Sequence, residues 1–263
     1  MWRLVLNAAE ARLDILLGDA QGIRAVHHCD TPTRATEALA PALRGMFVDN
    51  GIKAHDLDAV ACVAGPGSFT GIRLTLSTAA ALRRVVPHLR LAGLNFLEAV
   101  AAMGLRLHSF AALPPPPQVW ALTHARRNSV HLQGFVSGTG ARLTPASDLA
   151  LMDVDNALAR LRACPDTTLL VGTGLARNPQ LAAALPHCRL LPDCPSQPED
   201  ADLWALACAT PHAEADIAPL YVRPCDAVDN LNHIATRQGQ DPDAAHDCLR
   251  SLLTAPVRDA SRD

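Results

Sequence analysis

The stretch that decides the fold is Val63-Ala64-Gly65-Pro66-Gly67-Ser68-Phe69-Thr70-Gly71-Ile72-Arg73. It joins an apolar run at 57–64 to a helix-like run at 72–86, and so predicts a strand, a tight turn and a helix. We call Gly65–Gly71 the glycine loop. Such a loop brings backbone N–H groups and a helix N-terminus to one point, which favours an anion or a second stretch of backbone. Its candidate binding or structural residues are Gly65, Pro66, Gly67, Ser68, Thr70 and Gly71.

The spacing within the glycine loop does not match three common motifs. No Gly-Lys-Ser/Thr follows the glycines, so the loop is not a Walker A sequence. Glycines at 65, 67 and 71 do not fit the dinucleotide fingerprint, and the serine is not placed as in a hydrolase elbow. Ser68 and Thr70 are instead typical N-cap residues, and Pro66 presets a turn. The loop is therefore interpreted as structural, with a phosphate site as the alternative.

Composition limits the classes of function. The chain has 263 residues, 49% hydrophobic and 19% charged, which is typical of a globular protein of about two domains. Its net charge of −3 gives no electrostatic basis for gripping nucleic acid directly. The eight cysteines form no C-x-x-C pair, so we expect no metal site; the alternative, a set of His187, Cys188 and Cys194, is loosely spaced. No secretory signal or membrane-length run is present, so a cytoplasmic protein without membrane association is expected.

The order of elements predicts the fold class. Strands are expected at 2–6, 11–17, 22–28, 59–63 and 89–94, with helices at 34–48, from 72, and at 97–105. This β-β-β-α-β-α order gives a mixed α/β sheet of the kind found in actin-like and ribonuclease-H-like domains. The prolines at 114–117 are predicted to separate two lobes.

The second half repeats the pattern of strands followed by helices. Strands are predicted at 118–122, 129–135 and 219–222, a strand followed by a turn at 168–174, and helices at 154–163, 175–185 and 200–209. The predicted domains are an N-terminal lobe at 1–110, a C-terminal lobe at 111–230 and a polar, mobile tail at 231–263. A short amphipathic helix is expected at 243–254 within that tail.

The glycine loop, its Ala/Thr-rich helix and the segment 220–227 together resemble the TsaB family, formerly called YeaZ. The resemblance covers residues 3 to 230 and implies two actin-like lobes. It also implies a non-catalytic protein that pairs through its N-terminal helices with TsaD, the subunit that transfers threonylcarbamoyl to the adenosine beside the anticodon in tRNAs reading ANN codons. TsaE, an ATPase, joins this assembly, and the same helices can form a homodimer.

The resemblance further implies no catalytic residue, no metal and no cofactor in this chain alone. ATP or ADP would bind only in the complex, and tRNA would be reached only indirectly through it. Residues expected at the partner interface are Ala35, Leu39, Leu43, Arg73, Leu76, Ala80 and Arg83. Small and apolar residues lie nearly all round the helix at 72–85, which predicts burial against the sheet on one side and against a partner or more core on the other. A charge at Leu76 or Ala80 would then abolish pairing.

Three positions depart from the family pattern. Asn7-Ala8-Ala9 stands where the family has Asp-Thr-Ser, Ala35-Thr36-Glu37 where it has His-Ser-Glu, and His124-Ala125-Arg126 where it has Asp-Ala-Arg. The lost carboxylate argues against a Mg²⁺-nucleotide site in this cleft. Glu37 is interpreted as an acid in a first helical turn, and His124 as a solvated or structural histidine. The alternative functions are an actin-like-fold kinase or peptidase-like enzyme, and a homodimeric paralogue with another role.

Overall fold

The computed structural model describes residues 1–10, 12–30, 35–111, 113–136, 142–191, 195, 197–222 and 231–254. The chain divides into two compact units, Met1–Val222 and Arg223–Asp263. Within the described residues, none of the helices has the length and apolar character that crossing a membrane requires.

The first half of the larger unit has the predicted β-β-β-α-β-α order. Its elements are β1 (Trp2–Asn7), β2 (Leu13–Asp19), β3 (Gly22–Cys29), α1 (Ala35–Asp49), β4 (Leu57–Gly65), α2 (Phe69–Val85), β5 (Arg90–Asn95) and α3 (Phe96–Phe110). The strands form one sheet in the order β3-β2-β1-β4-β5. β1 pairs antiparallel with β2 and parallel with β4, so the sheet is mixed as the sequence predicts.

The second half forms another mixed sheet. Its elements are β6 (Val119–Arg126), β7 (Ser129–Val136), β8 (Thr144–Pro145), β9 (Ala150–Asp153), α4 (Val154–Arg162), β10 (Leu169–Val171), α5 (Thr173–Arg177), α6 (Pro179–Ala183), β11 (Arg189–Leu190) and α7 (Asp200–Ala209). The strand order is β11-β10-β6-β7-β8, and β9 also pairs with β7. β6 runs antiparallel to β7 and parallel to β10.

Alternation along β1 places the hydrophobic core on both faces of the first sheet. Leu4 and Leu6 face α1 and α2, and their cluster includes Leu39 and Ala79 of those helices. Val5 faces the opposite way, into a cluster that contains residues of α3, α7 and the second sheet. Helices α3 and α7 therefore lie between the two sheets, while α1 and α2 cover the far face of the first.

Two predicted elements differ from the structure. The helix expected at 175–185 is two short helices, α5 and α6, because Pro179 has no N–H and the residue before a proline disfavours helical geometry. The strand expected at 219–222 is absent; Leu220 instead donates one backbone hydrogen bond to the Ala64 carbonyl, at 2.8 Å. Residues 31–34 and 223–230, which carry a predicted helix start and part of the family signature, lie outside the described residues.

The smaller unit contains two helices, α8 (Leu231–Arg237) and α9 (Pro242–Thr254). Helix α9 corresponds to the helix predicted at 243–254, whereas α8 lies in a segment expected to be polar tail. The predicted boundaries of the lobes and of the tail stay predictions.

Candidate functional site

The glycine loop packs directly against the backbone that follows β1. The Ser68 N–H donates to the Ala9 carbonyl over 2.6 Å. A Cβ on Gly67 would lie 2.1 Å from the Ala9 oxygen, and one on Gly71 would lie 1.9 Å from the Ala8 oxygen. Both distances are far below a permitted contact, so only glycine fits at either position. The loop therefore contacts a backbone segment and donates the Ser68 N–H to it.

Ser68 also begins helix α2. Its hydroxyl oxygen accepts a hydrogen bond from the Gly71 N–H at 3.2 Å, which confirms it as the N-cap. Thr70, the other predicted N-cap residue, lies in the first turn of the helix and is exposed. The start of α2 is thus set by two glycines that permit close approach and by one serine that caps it.

A buried carboxylate lies beside Asn7, on the neighbouring strand. Asn7 and Asp14 are register partners, and both are fully buried. The Asn7 amide donates to Asp14 over 2.8 Å, while its carbonyl oxygen accepts from the Ala9 N–H at 3.0 Å. Asp14 also accepts from the Arg12 guanidinium and lies 2.9 Å from Nδ1 of His28. Three side chains therefore occupy the oxygens of this carboxylate, which leaves them unsuited to a metal ion.

We call the region around Asn7, Glu10, Asp14 and the glycine loop the cleft. Among the residues that the structure describes, no group of three or more His, Cys, Asp or Glu side chains could hold a metal ion. His28 contacts Asp14 through one ring nitrogen and Asp200 of α7 through the other, at 3.3 Å, so it links β3 to α7. Cys194 of the alternative metal set lies outside the described residues.

Glu10 is the titratable group of the cleft that sequence reasoning missed. Its carboxylate accepts a hydrogen bond from the Thr173 hydroxyl at 2.7 Å, and Thr173 accepts in turn from the His124 N–H at 3.1 Å. Burial raises the pKa of Glu10 from 4.5 to about 7, against the lowering effects of Thr173 and Arg177. Glu10 therefore joins the end of the first sheet to the start of α5. Its only sequence signal was an acid placed just after a buried strand.

The outward sides of α1 and α2, which pack on the same face of the first sheet, are the candidate surface. Three residues predicted to face a partner, Ala35, Leu39 and Leu43, are only 7%, 2% and 7% exposed and belong to the core beneath α1. Leu76 and Ala80 are partly buried. Helical periodicity located this apolar stripe correctly, but its side chains face the sheet. A partner docked on α1 would therefore contact the residues on the opposite, exposed side of the helix.

Half of the fourteen exposed residues of these two helices are small or apolar, and we call those seven the two-helix face: Ala40, Pro41, Gly45 and Val48 of α1, with Ser77, Ala81 and Val85 of α2. The other seven are polar or charged: Thr36, Glu37, Arg44, Asp49, Thr70, Arg73 and Arg84. Val48 and Val85 are each 71% exposed. The side of α2 that carries Ser77, Ala81 and Val85 is therefore exposed in this chain.

Residues 211–222 run beside the first sheet and α2, and we call them the strap. Leu91 of β5 and Ala213 exchange two backbone hydrogen bonds of 2.8 Å each. Near the end of α2, Arg83 forms an ion pair with Asp216 at 3.0 Å and also donates to the Glu214 carbonyl. Arg83, predicted at the partner interface, is therefore engaged within the chain.

At the start of α2 the strap ends in a cluster of Phe69, Arg73 and Tyr221. The Arg73 guanidinium carbon lies 3.8 Å from the centre of the Phe69 ring, and its Nε donates to the Tyr221 hydroxyl over 3.1 Å. The two rings are stacked with centroids 5.3 Å apart. We call this group the anchor cluster. The strap thus contacts α2 near both ends.

Comparison with known proteins agrees with this architecture. A family model described as TsaD, tRNA N6-adenosine threonylcarbamoyltransferase, matches residues 31–163, just over half of the chain's 263 residues. The chain belongs to this family. No curated protein matches it.

Two solved structures from Pseudomonas aeruginosa have the same fold. One is an uncharacterized protein with similarity to peptidase YEAZ, with a TM-score of 0.67, 21% identity, and coverage of 84% of this chain and 99% of that chain. The other is YeaZ, with a TM-score of 0.66, 20% identity and the same coverage. The family resemblance and the two-lobe actin-like fold class stated from the sequence are confirmed.

Replacing Gly71 by alanine should destabilise the protein by about 3 kcal/mol, because the new methyl group would overlap the Ala8 carbonyl. The matched control is Gly45→Ala in α1, where nothing lies within 4 Å of the new Cβ. In that exposed helical position alanine should raise stability by up to about 1 kcal/mol. Urea unfolding of both variants measures the difference; equal stabilities would refute the close packing of the loop on β1.

Glu10→Gln should remove a pH dependence of stability. Since the pKa of Glu10 is raised on folding, the folded state binds a proton that the unfolded state has lost between pH 4.5 and about 7. The stabilisation that this proton provides is therefore complete below pH 4.5. It is lost as the pH rises to about 7, which lowers the free energy of unfolding by about 2 kcal/mol for this partly exposed group. Urea unfolding across that range should show a smaller fall for Glu10→Gln.

The control for this experiment is Glu37→Gln, at an exposed position in the first turn of α1. This variant should keep the wild-type pH profile. If the free energies of unfolding of wild type and Glu10→Gln fall in parallel as the pH rises, the proton is not bound at Glu10.

Proposed function

We propose that this chain is a non-catalytic scaffold that binds TsaD and supports threonylcarbamoylation of the adenosine beside the anticodon in tRNAs reading ANN codons. The observation that carries the proposal is the two-helix face, a set of exposed small and apolar residues on two helices that pack on the same face of the first sheet. TsaE joins the resulting complex, and tRNA reaches this chain only through it. Family membership supports the pathway.

The dimensions of α1 and α2 suit a partner that presents helices. With 15 and 17 residues, the helices are about 22 and 25 Å long. Small side chains at Ala40, Gly45 and Ala81 allow a second pair of helices to approach within about 8–10 Å between axes. A stable interface buries about 800 Å² on each partner, which two helices of this length can supply. A second copy of the chain could use the same face in a homodimer.

The cleft supports a scaffold rather than an enzyme. The glycine loop binds the Ala8–Ala9 backbone, and the oxygens of Asp14 are engaged by Asn7, Arg12 and His28. Neither group is arranged to hold a Mg²⁺-nucleotide. We assign the transfer chemistry, and any ATP or ADP, to the complex and not to this chain alone.

Replacing Ala81 by glutamate should lower the affinity for TsaD at least about 100-fold, because the change puts a charge and added volume at the centre of the two-helix face. Ala81 is exposed, so the monomer should remain folded, whereas the partly buried Leu76 and Ala80 also contribute to packing. Calorimetry with purified TsaD gives the affinity, and light scattering after size exclusion gives the stoichiometry.

Ala159→Glu is the matched control. Ala159 is an exposed alanine on α4, on the second lobe, and its substitution should leave the affinity for TsaD unchanged. Wild-type affinity in Ala81→Glu would rule out this face as the interface. Equal losses in both variants would show that the effect is not specific to the face.

A further inference from the structure

Within the anchor cluster, Arg73 is held in place by Phe69 and Tyr221, and no acid among the described residues forms an ion pair with it. Stacking on Phe69 and the hydrogen bond from Nε to Tyr221 fix the guanidinium plane of Arg73. Among the described residues, no carboxylate or carbonyl group accepts from either terminal nitrogen of Arg73. By contrast, Arg83 on the same helix has both an acid and a carbonyl as partners.

We propose that Arg73 binds a carboxylate side chain of the partner protein, and that the anchor cluster is the specificity-determining contact at this end of the interface. The inference rests on the proposed function, because Arg73 lies on α2 beside the two-helix face. The two terminal nitrogens of a guanidinium can donate a pair of parallel hydrogen bonds to one carboxylate. Arginine and tyrosine are also the side chains most often found at energetic centres of interfaces.

The fixed position of the Arg73 side chain lowers the entropy cost of binding a partner. A free arginine side chain loses conformational entropy when a partner fixes it, but here two aromatic rings already do so. Tyr221 is the only tyrosine of the chain and is 42% exposed, so the cluster reaches the surface. Phe69 and Tyr221 are stacked with each other as well, which keeps both rings in position.

The charge around the cluster favours a protein carboxylate over a nucleic acid. The chain has a net charge of −3, and the strap carries two acids, Glu214 and Asp216, along the same helix. Asp216 is paired with Arg83, so Glu214 is the strap acid that would repel a polyanion laid along α2, whereas a single carboxylate at Arg73 would lie about three turns of helix away. The expected partner group is therefore one aspartate or glutamate at the edge of a helical surface.

The anchor cluster is assembled from two distant parts of the chain. Arg73 and Tyr221 are 148 residues apart in sequence and meet only because the strap lies along α2. The backbone hydrogen bond from Leu220 to Ala64 positions Tyr221 next to the glycine loop. Partner binding should consequently depend on the strap as well as on α2.

The test compares Arg73→Gln, Arg73→Lys and Tyr221→Phe with Arg127→Gln, an exposed arginine at the β6–β7 turn. Calorimetry with purified TsaD is run at low and high ionic strength. We expect Arg73→Gln to weaken binding by about 10- to 100-fold at low ionic strength and to lose part of its salt dependence. Arg73→Lys should recover little, because an ammonium lacks the planar fork. Tyr221→Phe should cause a smaller loss, and Arg127→Gln none.

The outcomes separate this inference from the proposed function. If wild type binds TsaD and Arg73→Gln binds within about twofold of it, the anchor is wrong and the scaffold role stands. If Arg73→Gln lowers only the affinity of the complex for tRNA, the cluster takes a phosphate and the inference is wrong. If wild type itself does not bind TsaD, the proposed function fails and the anchor fails with it.

Discussion

The close contact between the glycine loop and the end of β1 is the constraint on which the rest of the larger unit depends. It brings the backbone of α2 so near to Ala8 and Ala9 that only glycine fits at 67 and 71. That contact fixes where α2 begins on the sheet, and so fixes which side of the helix is buried. The exposed side then forms a surface together with α1, and the strap can reach both ends of α2.

The same contact distinguishes the glycine loop from a phosphate-binding loop. In a phosphate-binding loop, free N–H groups face the ligand. Here the Ser68 N–H is used on the Ala9 carbonyl, and the Asn7 side chain closes the turn after β1 from the other side. The neighbouring carboxylate of Asp14 is surrounded by donors. Glu10, held near neutrality by burial, contributes to the contact with Thr173 and adds no metal ligand set.

Much of the fold could be predicted because its signals are local. Gly65, Pro66 and Gly67 mark a turn between an apolar strand and a helix. The helix at 200–209 is likewise predicted by the residues of that segment alone. The strap could not be predicted in this way, since Arg83 and Asp216 are 133 residues apart and no local pattern links them. The same limit applies to Glu10, whose hydrogen-bond partner Thr173 lies 163 residues further along the chain.

The orientation of α1 shows a second limit. Helical spacing identified Ala35, Leu39 and Leu43 as one stripe, but an apolar stripe reads the same whether it faces a sheet or a partner. Once the sheet covers that stripe, the opposite side becomes the candidate surface. Its alanines and glycine gave little signal because small residues are weakly hydrophobic and occur on many helices.

The central claim is that a partner covers the outward sides of α1 and α2. The most direct measurement is amide hydrogen exchange of the chain alone and in the presence of purified TsaD, read peptide by peptide. The account predicts slower exchange in Ala35–Asp49 and Phe69–Val85, with α4 and the second sheet unchanged. Unchanged exchange in both helices, or protection confined to the second lobe, would contradict it.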